Sequence, residues 1–259
     1  MSDQGGRTLL EVEDVTLRFG GIVALDGLSF TIDEGQICGL IGPNGAGKTS
    51  LFNVVSRIYE PTSGRVSFDG TDLLKKPAHG IAHIGVARTF QNLALFPSMT
   101  LLENVMVGAH SRGKVGFVRG ILRLNPWGEE RETRARAYEL LERIGLDHLA
   151  FHPAIGLPFG TLKRLEIARA LAADPKFLLL DEPASGLTHQ EVEELGETIK
   201  HIRDDFGLTV LLVEHHMAMV MSISDKVVAM DFGRKLAEGT PEHVRNDPKV
   251  IEAYLGTTA

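Results

Sequence analysis

Cysteine is nearly missing from this chain: 259 residues contain one, Cys38. No intrachain disulfide can form, so the fold has to rest on a packed core, and a reducing compartment fits. Cys38 lies inside the apolar run ICGLI, where a small buried hydrophobe is the expected role. Also missing is any stretch near the roughly 18 apolar residues that a membrane-spanning helix needs. The opening MSDQGGRTLLEVEDV lacks the basic-then-apolar order of a secretory signal, so any membrane role is expected to be peripheral. An excess of positive charge is absent too. A formal net charge of -7 argues against a general electrostatic grip on nucleic acid, whose polyanionic backbone wants a basic face. No internal repeat or low-complexity tract is visible. What remains is 43% hydrophobic and 24% charged, the balance of a soluble globular protein with a sizeable core.

The first third reads as short strands between turns: TLLEVEDVTLRF, LSFTID, QICGLIG and, after a Pro-Thr-Ser-Gly turn, GRVSFDG. KTSLFNVVSRI has the length and composition of a helix. From about Leu95 to Gly156 the pattern turns helical. Thr100 and Glu103 form a capping-box pair, and Ala137, Leu140, Leu141 and Ile144 fall at helical spacing on one face. Afterwards helix and strand alternate: LKRLEIARALAA, FLLLDE, QEVEELGETIKHIRDDF, TVLLVEH and a final strand near KVVAM. Short apolar strands between helices predict a mostly parallel sheet covered on both faces. Two closing helices, at GTPEHV and NDPKVIEAYL, have proline just inside and Thr240 and Asp247 as caps.

At the first strand-to-helix junction stands GPNGAGKTS, which matches G-x-x-x-x-G-K-[ST] with Gly42, Gly47, Lys48 and Thr49 in the fixed places. Three glycines in nine residues allow a backbone to wrap a polyphosphate with its N–H groups inward, and the following helix adds its positive end. Gly42, Pro43, Asn44, Gly45, Ala46, Gly47, Lys48, Thr49 and Ser50 are therefore the expected ATP cradle. Lys48 is expected on β- and γ-phosphate oxygens and Thr49 on Mg²⁺. A second piece is FLLLDEP, a buried strand ending in two carboxylates. Asp181 is expected in the Mg²⁺ shell and Glu182 beside the water to be polarised. A glycine-rich turn and a strand that simply ends in polar residues are the plain alternatives for each piece alone.

Further motifs narrow the field. LPFGTLKRLEIARAL before the Asp-Glu strand resembles the signature segment of ATP-binding-cassette (ABC) ATPases, and ASGLT after it resembles their D-loop. The resemblance runs from about Leu9 to Gly256. It implies an α/β fold: a phosphate-loop NTPase core, an N-terminal antiparallel β subdomain and an inserted helical subdomain. One domain over residues 7–259, with the insertion at about 95–160, follows. By the same resemblance Phe19 stacks on adenine and Gln91, the glutamine-loop residue, touches Mg²⁺ and the catalytic water. His215 is implied as the switch histidine, and Gly160 faces the γ-phosphate held by a second cassette. The signature departs from the usual Leu-Ser-Gly-Gly-Gln at Pro158, Phe159 and Thr161, and Pro158 brings neither a hydroxyl nor an N–H. Thr188 stands where Asp is usual, yet with Glu191 it still forms a capping box.

The long insertion, with RTFQNLALFPSMTLLENVMVGAH, and the ending GTPEHVRNDPKVIEAYLG together resemble the ATP-binding subunits of branched-chain amino-acid importers. That resemblance implies a second cassette, identical or different, two membrane permease subunits and, indirectly, a solute-binding protein, with the chain peripheral on the cytoplasmic face. No nucleic-acid partner is expected. The basic stretch His110 to Gly128 suits anionic headgroups or a membrane partner, or a solvated helix face. An export cassette of lipopolysaccharide type shares much of the pattern. A cassette acting on DNA or ribosomes lacks support from a coiled-coil insertion or tandem copy, and a small-molecule phosphate-loop kinase would lack the signature and switch histidine.

Overall fold

The computed structural model describes residues 6–89, 93–109 and 126–255. Gln91 and most of the basic stretch from His110 to Gly128 lie outside the described residues.

Two sheets share the work. In the first, β1 (Thr8–Phe19) pairs antiparallel with β2 (Ile22–Asp33) and with β4 (Ser63–Phe68), which pairs with the short β5 (Thr71–Asp72). Alternation along β1 sends Leu10, Val12 and Leu17 inward, which is why the strand reads as half-buried in sequence. In the second sheet β3 (Ile37–Ile41) lies between β8 (Thr209–Val213) and β9 (Lys226–Asp231), and β7 (Phe177–Asp181) and β6 (Val86–Arg88) follow outward from β8. These pairings are parallel; β10 (Arg234–Gly239) closes the other edge antiparallel to β9. KVVAM is thus not the last strand.

The expected double cover is present, but its two sides differ. Ile37, Ile41, Leu178, Leu180, Val210, Leu212, Val227 and Ala229 face a core shared with helices. Those helices are α2 (Leu101–Ala109), α3 (Pro126–Arg143), α4 (Phe159–Leu171), α5 (His189–Phe206) and α6 (Met217–Ile223). Cys38, Leu40, Phe177, Leu179, Leu211, Val213, Val228 and Met230 face the opposite way, onto α1 (Lys48–Val55) and the antiparallel sheet. One-residue alternation within five-residue strands divides the two cores.

Capping follows the sequence closely. Thr100 and Glu103 exchange hydrogen bonds at the start of α2, with the Thr100 N–H donating to Glu103 Oε2 at 2.8 Å. Thr188 and Glu191 do the same for α5. Thr240 caps α7 (Pro241–Arg245), and Asp247 accepts the Lys249 N–H at 2.8 Å where α8 (Pro248–Leu255) begins. Helix α4 starts at Phe159, earlier than the pattern LKRLEIARALAA suggests, because the Pro158 carbonyl accepts the Leu162 N–H at 3.1 Å and the proline ring already has a helix-compatible φ.

Candidate active site

Parallel register decides which loops meet. Leu40 of β3 lies opposite Val213 of β8, and Val213 lies opposite Asp181 of β7. Three strands therefore end level, and the segments after them leave one edge of the sheet together: Gly42–Ser50, Glu182–Thr188 and Glu214–His216. Carboxyl ends of strands are where open α/β sheets place their ligand sites.

The glycine loop needs its glycines for close approach. A Cβ on Gly42 would meet the Met230 carbonyl oxygen at 2.2 Å. At Gly47, φ is 101° and a Cβ would lie 2.5 Å from the Ala24 carbonyl oxygen, so this turn can start α1 only with glycine. The loop is pinned from behind, where the Gly233 N–H donates to the Ala46 oxygen at 2.9 Å. Asn44, Gly45 and Thr49 stay exposed, whereas Gly42, Pro43 and Ala46 are buried and Ser50 is half-buried. Lys48 folds back under the loop and donates to the Gly42 and Pro43 carbonyls at 2.6 and 2.9 Å. Burial holds its ammonium below the ordinary lysine range, and the negative charge of Glu182 pulls in the other direction. From the last helix, Tyr254 brings its hydroxyl to the Gly42 backbone, and burial pushes that phenol up to about 12.

Asp181 and Glu182 are adjacent in sequence but differently held. Asp181 is buried and takes an ion pair from Arg88, whose Nη2 donates to Oδ2 at 2.8 Å. Arg88 also donates from Nη1 to Asn53 Oδ1 and Ser56 Oγ at 2.7 and 2.8 Å, and its guanidinium stands over the Phe52 ring. It thereby ties the helix that follows the glycine loop to the end of β7. Sequence reasoning quoted Arg88 as the first residue of RTFQNLALF but gave it no role.

Beyond the strand end, Glu182 has a left-handed backbone, φ 48°, a conformation that costs a non-glycine residue on the order of 1–3 kcal/mol. Its N–H still bonds the Val213 carbonyl at 2.9 Å, and its Oε1 lies 2.7 Å from Nε2 of His215. The carboxylate is largely buried and the imidazole more open, so the pair faces solvent from the histidine side.

A model of the ABC transporter family matches residues 25–185, more than half the chain, and takes in both the glycine loop and the Asp-Glu strand end. The chain belongs to the ABC transporter family. A second model, described as branched-chain amino acid ATP-binding cassette transporter, matches residues 234–259. The high-affinity branched-chain amino acid transport ATP-binding protein BraF of Pseudomonas aeruginosa is 44% identical over 251 residues, covering 96% of this chain and 98% of that one. Among solved structures, the ADP conformation of an ATP-binding cassette of an ABC transporter is 33% identical, with TM-score 0.84 over 96% of this chain and 99% of the other. A dimeric post-hydrolysis cassette bound to ADP and phosphate is 26% identical, with TM-score 0.75 over 90% and 99%.

The ABC cassette carries the remaining sequence-derived positions on separate elements. Phe19 ends β1 at the hairpin with β2, the strand whose Ala24 backs Gly47, and its ring meets Tyr59 edge-on at 5.1 Å. Gly160 lies in the first turn of α4, where a Cβ would meet Glu191 Oε1 at 2.8 Å, so the signature turn sits on the capping box of α5. Phe159 is half exposed beside Gly186, with the Lys163 ammonium 5.4 Å from its ring centre. Gly160 is itself buried there, and it meets the site through the capping box rather than through the strand ends.

Proposed function

We propose that this chain is the ATP-hydrolysing subunit of an importer for branched-chain or related hydrophobic amino acids. As an ABC transporter ATPase it binds ATP. The solute class draws its support from the names of the matched relatives and from the family-specific match at residues 234–259. In this reading the cassette works with a second cassette, two membrane permease subunits and, through them, a solute-binding protein. Among the described residues no helix is long and apolar enough to cross a membrane, in keeping with a peripheral place on the cytoplasmic face. Phe151 and Ile155, about two-thirds exposed, give the helical region an apolar face suited to a membrane subunit.

In this reading Gly42–Ser50 wraps the phosphates, Lys48 gives up its carbonyl partners for β/γ oxygens, and Phe19 stacks on the base. Gly160 and the start of α4 serve the nucleotide of the opposing cassette. Thr49 and Asp181 offer hydroxyl and carboxylate oxygens, the hard donors that Mg²⁺ takes, and Gln91 is proposed beside them. Mg²⁺ supplies charge neutralisation of the β- and γ-phosphates when bound. Glu182 accepts a hydrogen bond from the attacking water, and His215 holds the carboxylate and the γ-phosphate side in place.

The observation that carries this reading is the 2.7 Å Glu182–His215 contact at the strand edge that also bears the phosphate loop. Replacing Glu182 with Gln is expected to leave ATP affinity intact while turnover falls by about 10² to 10⁴. Retained turnover in Glu182→Gln would remove Glu182 from the reaction.

A further inference from the structure

Next to the hydrolytic pair lies a second carboxylate that the reading above leaves unused. Glu214 follows β8 and is 1% exposed. Its Oε1 accepts the Ala184 N–H at 2.5 Å, and its Oε2 accepts the His215 N–H at 2.9 Å and the His216 N–H at 3.4 Å. Ala184, itself fully buried, belongs to the turn after Glu182: the Ser185 N–H bonds the Glu182 carbonyl at 3.2 Å and the Leu187 N–H bonds the Ala184 carbonyl at 3.1 Å. One side chain therefore joins the segment bearing Glu182 to the segment bearing His215.

The chemistry requires a carboxylate. Burying a charge is costly unless hydrogen bonds replace its water, and donors from two segments do so here. A carboxylate has two acceptor oxygens and no donor, so each oxygen can take N–H groups from a different segment. An amide of the same shape has one acceptor oxygen, and its NH₂ group would face the backbone donor or donors of one segment. An apolar residue would leave all three N–H groups without this acceptor.

We propose that Glu214 is a positioning residue for ATP hydrolysis, clamping the Glu182 turn to the His215 turn and so fixing the separation of those two side chains. The inference rests on Glu182 and His215 being the hydrolytic pair.

The test compares E214Q and E182Q with the wild-type full-length chain, measuring ATP affinity, turnover and, on ¹⁵N-labelled protein, the backbone amide protons of Ala184 and His215. E214Q is expected to keep ATP affinity within about twofold while kcat drops by about 10- to 10²-fold, the usual consequence of misplacing a reacting group. At least one of the two amide protons should move upfield as it loses its carboxylate acceptor. Wild-type kcat in E214Q alongside a turnover-dead E182Q overturns the inference and leaves the pair standing. Full turnover in E182Q overturns the pair itself. Equal losses of affinity and kcat in E214Q mark a general distortion and also overturn the positioning role. Should E214Q fail to fold, E214D keeps both oxygens one methylene short and carries the same readouts; wild-type kcat there overturns the proposal.

Discussion

Cys38 has no accessible surface in the strand that feeds the phosphate loop, and burial raises its thiol from 9.0 to about 12. The sign of the consequence follows from proton counting. Above pH 9.0 the unfolded chain gives up the thiol proton and the folded chain keeps it, so the unfolded state binds fewer protons and stability falls as pH rises toward 12. Urea unfolding followed from about pH 8 to 11 should show this decline, with a shallower slope in Cys38→Ala. Tyr254, raised to about 12 as well, adds to the decline in both chains. Parallel slopes would contradict the assignment to Cys38. At the same scale, Lys48, Asp181, Glu182 and His215 were legible because each sits in a pattern of fixed spacing. Arg88 and Glu214 were not. Arg88 reaches Asp181 only through the parallel pairing of β6 with β7, ninety-odd positions apart in sequence. Glu214 reads as one more residue of an apolar strand, and its acceptor role exists only once the Ala184 turn is folded against it.

Helix α5 illustrates how an element ties to the site. Its capping box has Thr188 Oγ1 donating to Glu191 Oε2 at 2.9 Å, and the same glutamate lies where a Cβ of Gly160 would go. The Thr188 hydrogen bonds hold the Glu191 carboxyl below its usual range. Thr188→Ala should cost about 1 kcal/mol in denaturant unfolding, and Thr188→Ser should recover most of it. Equal midpoints for Thr188→Ala and wild type would show that the cap contributes nothing. Elements with clear cap signals were read correctly from sequence, including α5, α7 and α8. Those missed share a cause: they are short and carry neither a cap signal nor a visible period. Strand β6 has three residues, and α6 has seven, MAMVMSI, with no polar face to reveal a period. Strand β10, RKLAEG, buries Ala237 alone, and its charged residues suit an edge strand that must not pair further.

Across the whole molecule, a single geometric fact organises function: β3, β7 and β8 end in register. Short apolar strands alternating with helices announce a parallel α/β sheet, but register is a tertiary property, and it alone makes neighbours of Gly42–Ser50, Glu182 and His215. The five-residue strands, buried throughout, hold that register by packing a different set of side chains into each of two cores. The most direct check on the account is an ATP titration of Lys48→Ala against the wild-type chain. Loss of the ammonium that now caps the Gly42 and Pro43 carbonyls should weaken ATP binding by about tenfold or more, as expected for a charge-assisted contact to phosphate. Unchanged affinity in Lys48→Ala would mean that ATP is held elsewhere, and the three level strand ends would lose their proposed purpose.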